Sequence, residues 1–288
     1  MKPIKRVEVI STGQVEIRPE HVRSSGRPPV WWLFTSRQWT APRPINVYVI
    51  EHEKGLVLFD TGQDRRSVTD PEYFPKGLAG IIYRRLARFA ITANQTLTSQ
   101  LAGLGYQPSQ VGIAVLSHLH QDHIGGLAEL KNARILVSVN EWATLNRKFP
   151  EFNGLLTSHI DLPGLHWDRI TPTATDDESI LPFDHSYDIF DDGSLVLVPT
   201  PGHTPGSLSL FLRQEGLPPM LFVGDLTYDA DLLDDEGVPG IGNREQLLDS
   251  TRAVNQLKRW YPDLVIAAAH DPGAAKVLHD ALKSRKQR

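Results

Sequence analysis

Six consecutive positions near the middle of the chain carry three histidines and one aspartate. These residues are His118, His120, Asp122 and His123. Neutral imidazole and carboxylate are the ligand types that suit zinc and related divalent metals. The 288-residue chain contains only eleven histidines. Their concentration here favours a metal site over a surface loop that happens to contain histidine.

The spacing of these four residues indicates two points of attachment. If the apolar run 112–116 forms a buried strand, His118 and His120 lie two residues apart in its extended continuation and face the same side. Asp122 and His123 follow after a bend, from which they can face a second point. One short loop therefore has ligands for two metals.

Three further residues of ligand type stand at the ends of predicted strands. His203, Asp225 and His270 follow the apolar runs 195–198, 221–223 and 266–269. Loops and sites gather at the carboxyl ends of strands in α/β proteins. The turn around His203 contains two glycines and two prolines, which fix its backbone. Each residue alone is more typical of a turn or a cap, but together with the first run they indicate one shared site.

Taken in order, these residues resemble the metal motif of the metallo-β-lactamase superfamily. The match consists of His118-x-His120-x-Asp122-His123, then His203, Asp225 and His270, with an earlier Asp60-Thr61-Gly62 signature. It extends from about residue 44 to about residue 271. The resemblance implies an α/β fold of the αββα sandwich type. In this fold two mixed sheets lie face to face with helices outside, and a dinuclear site lies at one edge.

The resemblance also implies how the ligands divide between the metals. His118, His120 and His203 would hold the first metal, Asp122, His123 and His270 the second, and Asp225 would bridge both. Two divalent ions are expected, with zinc foremost, although the same ligands also suit manganese, iron or cobalt. Asp60 would not be a ligand. It would either orient a ligand imidazole or only shape the turn before Gly62.

Such a site implies hydrolysis without a covalent enzyme intermediate. Two metals about 3.5–4 Å apart lower the pKa of a bridging water, so that a hydroxide bridging two metals can attack a carbonyl that they polarise. Asp122 or Asp225 would accept or shuttle the proton. Tyr228 lies three residues after Asp225 and resembles a tyrosine of the N-acyl-homoserine lactonases, where the phenol can donate to the substrate carbonyl. Packing in a loop is the alternative interpretation of Tyr228.

The predicted activity is therefore opening of the lactone ring of N-acyl-homoserine lactones, with Asp122, Asp225 and Tyr228 as catalytic residues. An acyl chain needs an apolar pocket. The aromatic segment 30–34 and the amphipathic segment 79–91 are candidates for its lining, for a homodimer contact, or for simple caps on the core. A helix on a membrane surface is a further alternative for these segments.

Other members of the superfamily are weaker matches. A hydroxyacylglutathione-type thioesterase shares the seven ligands but usually has more chain than the eighteen residues after His270. The absence of cysteine excludes a Cys-ligated β-lactamase, and the N-terminus disfavours an all-histidine one. An ester or organophosphate hydrolase is the nearest alternative, because the same hydroxide could attack either centre. A non-enzymatic binding module would be expected to have lost one or more ligands.

The elements that position these residues are short, mostly β-branched apolar runs. Strands are predicted over 5–10, 45–50, 55–59, 111–116, 134–138, 194–199, 207–212, 220–223 and 264–269. Helices are predicted over 97–104, after an Asn243/Gln246 capping box, and over 274–284. Two αβ halves, about 1–135 and 190–288, are joined by an irregular connection with short strands over 150–190. Together they predict a single domain over 1–288.

Bulk composition excludes several classes of partner. The formal charge of −4 provides no basic field for nucleic acid. No apolar run approaches the roughly 18–20 residues that span a bilayer, and Glu8 interrupts the only N-terminal one. We therefore expect a small-molecule substrate, no stable membrane insertion and a cytoplasmic location. The remaining histidines, His21, His52, His159, His166, His185 and His279, are predicted to be surface or loop residues.

Overall fold

The computed structural model describes residues 2–286 and contains all nine predicted strands. The strands are β1 (Ile4–Ile17), β2 (Arg43–His52), β3 (Gly55–Phe59), β4 (Ala87–Ala90), β5 (Val111–Val115), β6 (Arg134–Ser138), β7 (His166–Ile170), β8 (Thr173–Ala174), β9 (His185–Asp188), β10 (Leu195–Pro199), β11 (Leu208–Leu212), β12 (Met220–Phe222) and β13 (Val265–Ala267). The helices are α1 (Pro19–Val22), α2 (Pro29–Thr35), α3 (Arg66–Thr69), α4 (Gly77–Leu86), α5 (Leu97–Gly103), α6 (Gln121–Ile124), α7 (Val139–Trp142), α8 (Thr157–Ile160), α9 (Arg244–Trp260) and α10 (Ala274–Lys286).

The strands form two mixed sheets. The first has the order β4-β1-β2-β3-β5-β6-β7, and the second has the order β13-β12-β11-β10-β9-β8. Strands β3, β5, β6 and β7 are parallel, as are β12 and β13, while the remaining neighbours are antiparallel. The connection over 150–190 supplies β7 to the first sheet and β8 and β9 to the second.

Alternation of side chains along each strand builds four layers. In β2, Tyr48 and Ile50 point into the core between the sheets, whereas Val47 and Val49 point outward and pack beneath α5. The second sheet repeats this pattern. The inward side chains of β10 join the shared core and its outward ones pack beneath α9. This arrangement confirms the expected αββα sandwich.

Hydrogen bonds join the two sheets at the edge where β5, β12 and β13 end. The Tyr48 hydroxyl donates to the Ala268 carbonyl at 2.8 Å, and the Asn46 backbone N–H donates to the Ala269 carbonyl at 2.8 Å. These bonds tie β2 of the first sheet to the segment that leads into His270. Hydrogen bonds between the two sheets therefore hold this edge in place independently of the candidate site residues. Within residues 2–286, no helix combines the length and apolar character needed to cross a bilayer.

Candidate metal centre

The loop after β5 brings its two leading histidines together as their spacing predicted. His120 has extended backbone angles and directly precedes α6. The Nε2 atom of His118 lies 3.0 Å from Nδ1 of His120, and Nε2 of His203 lies 2.9 Å from the same Nδ1. These three residues form the first cluster of possible metal ligands.

The bend into α6 turns the next two residues toward a second point. Nε2 of His123 lies 3.9 Å from a carboxylate oxygen of Asp122, and Nε2 of His270 lies 3.4 Å from the other. In this second cluster, as in the first, the candidate ligand atoms all lie within 4.8 Å of one another. Each cluster takes two residues from the first sheet's loop and one from the second sheet.

Asp225 lies between the two clusters with one oxygen toward each. Its Oδ1 is 3.4 Å from Nε2 of His123 and 3.5 Å from Nε2 of His270. Its Oδ2 is 3.5 Å from Nε2 of His203. This is the position that a bridging carboxylate requires.

The chemistry of the donor atoms fits divalent metal. Among residues 2–286, the buried Nε2 of His123 and the buried Oδ1 of Asp225 have no hydrogen-bond partner. Buried polar atoms normally have one, and each exception calls for an explanation such as an ion. Imidazole nitrogens and carboxylate oxygens that converge in this way are what zinc coordination needs.

Asp60 contacts a ligand imidazole, as the first of the two interpretations predicted. Its Oδ2 lies 2.9 Å from Nδ1 of His123 and accepts the Ser117 hydroxyl at 2.9 Å. Its Oδ1 accepts the Ser117 backbone N–H at 2.7 Å. Carboxylates in this position fix the orientation of a ligand histidine.

Two other imidazoles are held by backbone carbonyls. Nδ1 of His270 lies 3.0 Å from the Pro44 oxygen, and Nε2 of His120 lies 3.1 Å from the Asn153 oxygen. The nitrogen opposite each of these bonds faces the cluster. These hydrogen bonds to backbone carbonyls therefore determine which ring nitrogen of each histidine faces the cluster.

Glycine is required in the turn that carries His203. Gly202 has φ +139°, and a Cβ atom there would lie 2.5 Å from the Leu247 backbone nitrogen. Asn243 caps α9 by accepting the Gln246 N–H, and its own N–H donates to the Gly202 carbonyl at 2.7 Å. The start of α9 thus supports the His203 turn.

Glu141 is a structural member of the site that sequence reasoning missed. Its fully buried carboxylate accepts the Leu119 N–H at 3.0 Å and the Gly206 N–H at 3.2 Å, which joins the two loops that carry the first cluster. The Ser138 hydroxyl caps α7 and donates to the Gly206 carbonyl at 2.7 Å. The Ser138-x-x-Glu141 spacing after a strand is a capping-box signal that could have drawn attention to it.

Burial and neighbouring charges set the protonation of the cluster. Burial, with neighbouring imidazoles, holds the pKa values of His118 and His203 well below the ordinary range. Burial alone would also lower the pKa of His123, but the Asp60 and Asp225 carboxylates raise it well above its ordinary value. Burial would raise the pKa of Asp225, yet the neighbouring imidazoles of His270 and His123 hold it well below its usual range. Asp225 is therefore ionised, as a ligand must be.

Tyr228 is buried with its hydroxyl directed at the clusters. The hydroxyl donates to Oδ2 of Asp225 at 2.9 Å, and the ring stacks on His270 with centroids 5.5 Å apart. Burial, with the nearby Asp225 carboxylate, raises the pKa of the phenol well above its ordinary value. Tyr228 therefore remains a neutral hydrogen-bond donor beside the site.

A cavity of about 790 Å³ opens onto the clusters and is lined in part by both apolar segments. The segment 30–34 lies in α2, which contributes Val30 and Leu33. The segment 79–91 forms most of α4 and all of β4, and contributes Ile82 and other apolar side chains. These contacts go beyond a simple cap on the core.

Two of the remaining histidines contradict the surface prediction. His52 is 2% exposed and stacks on Phe190. His21 is 9% exposed, lies in α1 and lines the cavity. Both burials depend on tertiary packing. By contrast, His185 is half exposed and lies 2.9 Å from the exposed carboxylate of Asp184.

An αββα sandwich whose strand ends gather paired clusters of histidine and aspartate is the framework of a metal-dependent hydrolase. Residues 40–282 match the model of the metallo-beta-lactamase superfamily, and the chain belongs to this superfamily. It is 29% identical over 234 residues to the N-acyl homoserine lactonase AttM of Rhizobium radiobacter, covering 80% of this chain and 83% of that one.

Solved structures share the fold across nearly the whole chain. One is an N-acyl homoserine lactone hydrolase with the product N-hexanoyl-L-homoserine bound at the catalytic metal centre. It has a TM-score of 0.75 and 24% identity, and the match covers 95% of this chain and 96% of that one. Another is AidC, a dizinc quorum-quenching lactonase, with a TM-score of 0.61, 17% identity and coverage of 95% and 91%.

Proposed function

We propose that this protein is a dinuclear metal-dependent lactonase that opens the ring of N-acyl-homoserine lactones. The observation that carries the proposal is the Tyr228 hydroxyl on Asp225, beside two ligand clusters and at the polar end of an apolar cavity. The similarity to AttM over four fifths of the chain supports the same substrate class.

In the proposed site the seven candidate ligands are divided as the superfamily resemblance implies. His118, His120 and His203 would hold one divalent ion, Asp122, His123 and His270 the other, and Asp225 both. Zinc is the expected metal, since AidC is a dizinc enzyme. When bound, two such ions would supply a nucleophilic water at neutral pH and would polarise the lactone carbonyl.

Two side chains of the protein have separate roles in the reaction: one stabilises the developing charge, and the other transfers the proton. Tyr228 turns its hydroxyl from Asp225 toward the carbonyl oxygen and donates a hydrogen bond to it as negative charge develops there. Asp122 lines the cavity and is the more exposed of the two acidic ligands, with 19% of its side chain accessible against 4% for Asp225. Asp122 takes the proton from the attacking water and delivers it to the ring oxygen when the C–O bond breaks.

The apolar wall of the cavity binds the acyl chain. Leu33 from α2 and Ile82 from α4 belong to this wall. The exposed side chains of the same helices, including Trp31 and Leu78, form the surface through which we expect a homodimer. A single domain and a cytoplasmic location stay predictions.

A substrate panel combined with metal analysis tests the proposal. The gently purified protein would be assayed against N-acyl-homoserine lactones, plain esters, a thioester, a β-lactam and an organophosphate. We expect the highest kcat/KM on the acyl lactones and about two metals per chain. A higher kcat/KM on another class would overturn the substrate assignment, and a content of one metal or none would overturn the dinuclear site.

A further inference from the structure

A buried imidazole stands in the cavity wall outside the metal-ligand set. His21 lines the cavity, and its ring centroid lies 5.5 Å from that of Tyr228 and 5.8 Å from that of Trp32. Tyr228 contacts the reaction centre through Asp225, whereas Trp32 belongs to α2, whose Leu33 lines the apolar wall. His21 thus lies between the reacting end of the cavity and the acyl end.

The order of groups along the cavity matches the order of groups along the proposed substrate. An N-acyl-homoserine lactone has a ring at one end, an amide next to it, and then the acyl chain. With the ring at the clusters and the chain against α2 and α4, the amide lies at the level of His21. An amide offers one N–H donor and one carbonyl acceptor in adjacent positions.

The ring nitrogens of His21 make no hydrogen bond within the described part of the chain. Its Nδ1 is buried and has no hydrogen-bond partner among residues 2–286. Burial lowers the pKa of His21 to about 4, so the ring is neutral at physiological pH and presents one donor and one acceptor. Because Nδ1 is enclosed by protein, a ligand amide would meet the ring at its other nitrogen, Nε2, which makes no hydrogen bond among residues 2–286 and is not enclosed in this way.

The backbone around His21 is fixed rather than loose. The His21 carbonyl accepts the Gly240 N–H at 3.2 Å, and the Ser24 N–H donates to the Val238 carbonyl at 2.8 Å. The Ser36 hydroxyl donates to Glu20 at 3.0 Å, which ties α1 to the end of α2. A recognition residue needs this kind of support, because a ring held in place loses little freedom on binding.

We infer that His21 is a specificity residue that recognises the amide of N-acylated lactones and so distinguishes them from lactones that lack an amide. The inference rests on the proposed lactonase function and deepens it. We assign His21 no part in the bond cleavage itself, because it belongs to neither ligand cluster and, unlike Tyr228, makes no hydrogen bond to Asp225. Its removal should affect KM for amide-bearing substrates far more than kcat.

The test compares two lactones on the metal-loaded protein. One is an N-acyl-homoserine lactone, and the other is a γ-lactone with an alkyl chain of matched length and no amide. His21→Phe keeps an aromatic ring beside Trp32 and removes the polar nitrogens. We expect kcat/KM for the amide substrate to fall about tenfold or more through KM, with less than about a twofold change for the amide-free lactone.

Two further variants serve as a rescue and as a control for this comparison. His21→Gln restores a donor and an acceptor, and should recover part of the lost preference. His185→Phe makes the same change at a half-exposed histidine away from the cavity, and should leave both substrates unchanged. Equal loss on both lactones in His21→Phe, or no loss on either, would overturn the inference.

A measurement on the unaltered protein covers the case in which His21→Phe does not fold. The ¹⁵N resonances of the His21 ring would be followed while the ring-opened N-acyl-homoserine, or a 4-hydroxy fatty acid of equal length, is added. A shift with the amide compound alone supports the inference, and equal or absent shifts overturn it. Failure of the wild-type protein to open any lactone would instead overturn the proposed function.

Discussion

Asp60 combines an unusual backbone with a contact to a ligand histidine. Its φ is 61°, in the left-handed region, and Asp and Asn are among the few residues other than glycine that adopt it readily. The conformation turns the carboxylate back toward Ser117 and His123. The chain therefore needs a short side chain with two acceptor positions at residue 60.

This requirement leads to a prediction for Asp60→Asn. Asparagine tolerates the same backbone and keeps one acceptor, but it removes the charge beside His123. We expect metal affinity to fall about 10–100-fold, measured by competition with a chromophoric chelator. Asp184→Asn, at an exposed carboxylate, is the control. Unchanged affinity in Asp60→Asn would assign Asp60 to turn formation alone.

The Tyr228 hydroxyl allows a second prediction at the residue scale. Tyr228→Phe removes the donor to Asp225 and to the substrate carbonyl while the stacked ring remains. We expect kcat on lactones to fall about 10–100-fold with metal content unchanged. Tyr73→Phe also removes a buried phenol hydrogen bond, to Gln63, and should leave kcat unaltered. Equal rates for Tyr228→Phe and the wild type would mean that Tyr228 only packs.

Residue types and spacing predicted the candidate ligand set, but not the residues that support it. The seven candidate ligands form an ordered pattern along the chain, and the structure brings all of them together. Glu141 and His21 act through contacts with loops that are distant in the chain. A single carboxylate or imidazole has no local signature for such a role, because its environment exists only after the fold has formed.

At the scale of elements, sequence patterning predicted the buried apolar strands better than the short polar strands at or near the sheet edges. The nine predicted strands are mostly apolar and β-branched. Eight of them lie inside the sheets, and the ninth, β13, is an edge strand whose three side chains are all buried. The short strands β4, β7, β8 and β9 lie at the sheet edges or next to them, and contain polar side chains such as Arg88 and Asp188. Strand formation at these positions depends on pairing with a neighbour more than on intrinsic preference.

Helices α2 and α4 provide the basis for a prediction about substrate length. Each methylene buried in the cavity contributes about 0.8 kcal/mol, which is about fourfold in binding. We expect kcat/KM to rise with acyl-chain length until the cavity is filled, as measured on a homologous series of acyl lactones. A flat dependence on chain length would count against an acyl pocket.

Two neighbouring isoleucines on α4 make this prediction specific. Ile82 lines the cavity, whereas Ile81 is 41% exposed on the protein surface. Ile82→Trp should fill part of the cavity and shift the preferred substrate toward shorter chains. Ile81→Trp adds the same volume outside the cavity and should leave the chain-length profile as it is in the wild type. Identical profiles for both variants would remove α4 from the acyl pocket.

At the scale of the whole molecule, burial of His21 links folding stability to pH. Burial lowers its pKa to about 4 from the ordinary value of 6.5. As the pH falls below 6.5 the unfolded chain gains a proton that the folded protein does not bind until about pH 4. The free energy of unfolding therefore decreases with falling pH in this window, by about 3 kcal/mol in total from this residue.

The corresponding prediction compares His21→Phe with the wild type. Between pH 7 and pH 5, metal-free His21→Phe should lose about 2 kcal/mol less stability than the metal-free wild type, measured by urea unfolding at both pH values. The comparison of slopes is independent of any constant effect of the substitution. Parallel pH dependence in the two proteins would show that His21 titrates normally in the folded state.

Each cluster takes two ligands from the loop after β5 and one from a loop of the opposite sheet. An ion bound in either cluster would therefore link the two halves of the sandwich. Side chains packed between the sheets, such as Tyr48 stacked on Phe222 with ring centroids 4.3 Å apart, set the separation of the two sheets. That separation sets the distance between ligands from opposite sheets. Close-packed protein interiors transmit strain. We therefore expect changes in side-chain volume deep between the sheets to alter the distances between the candidate ligands.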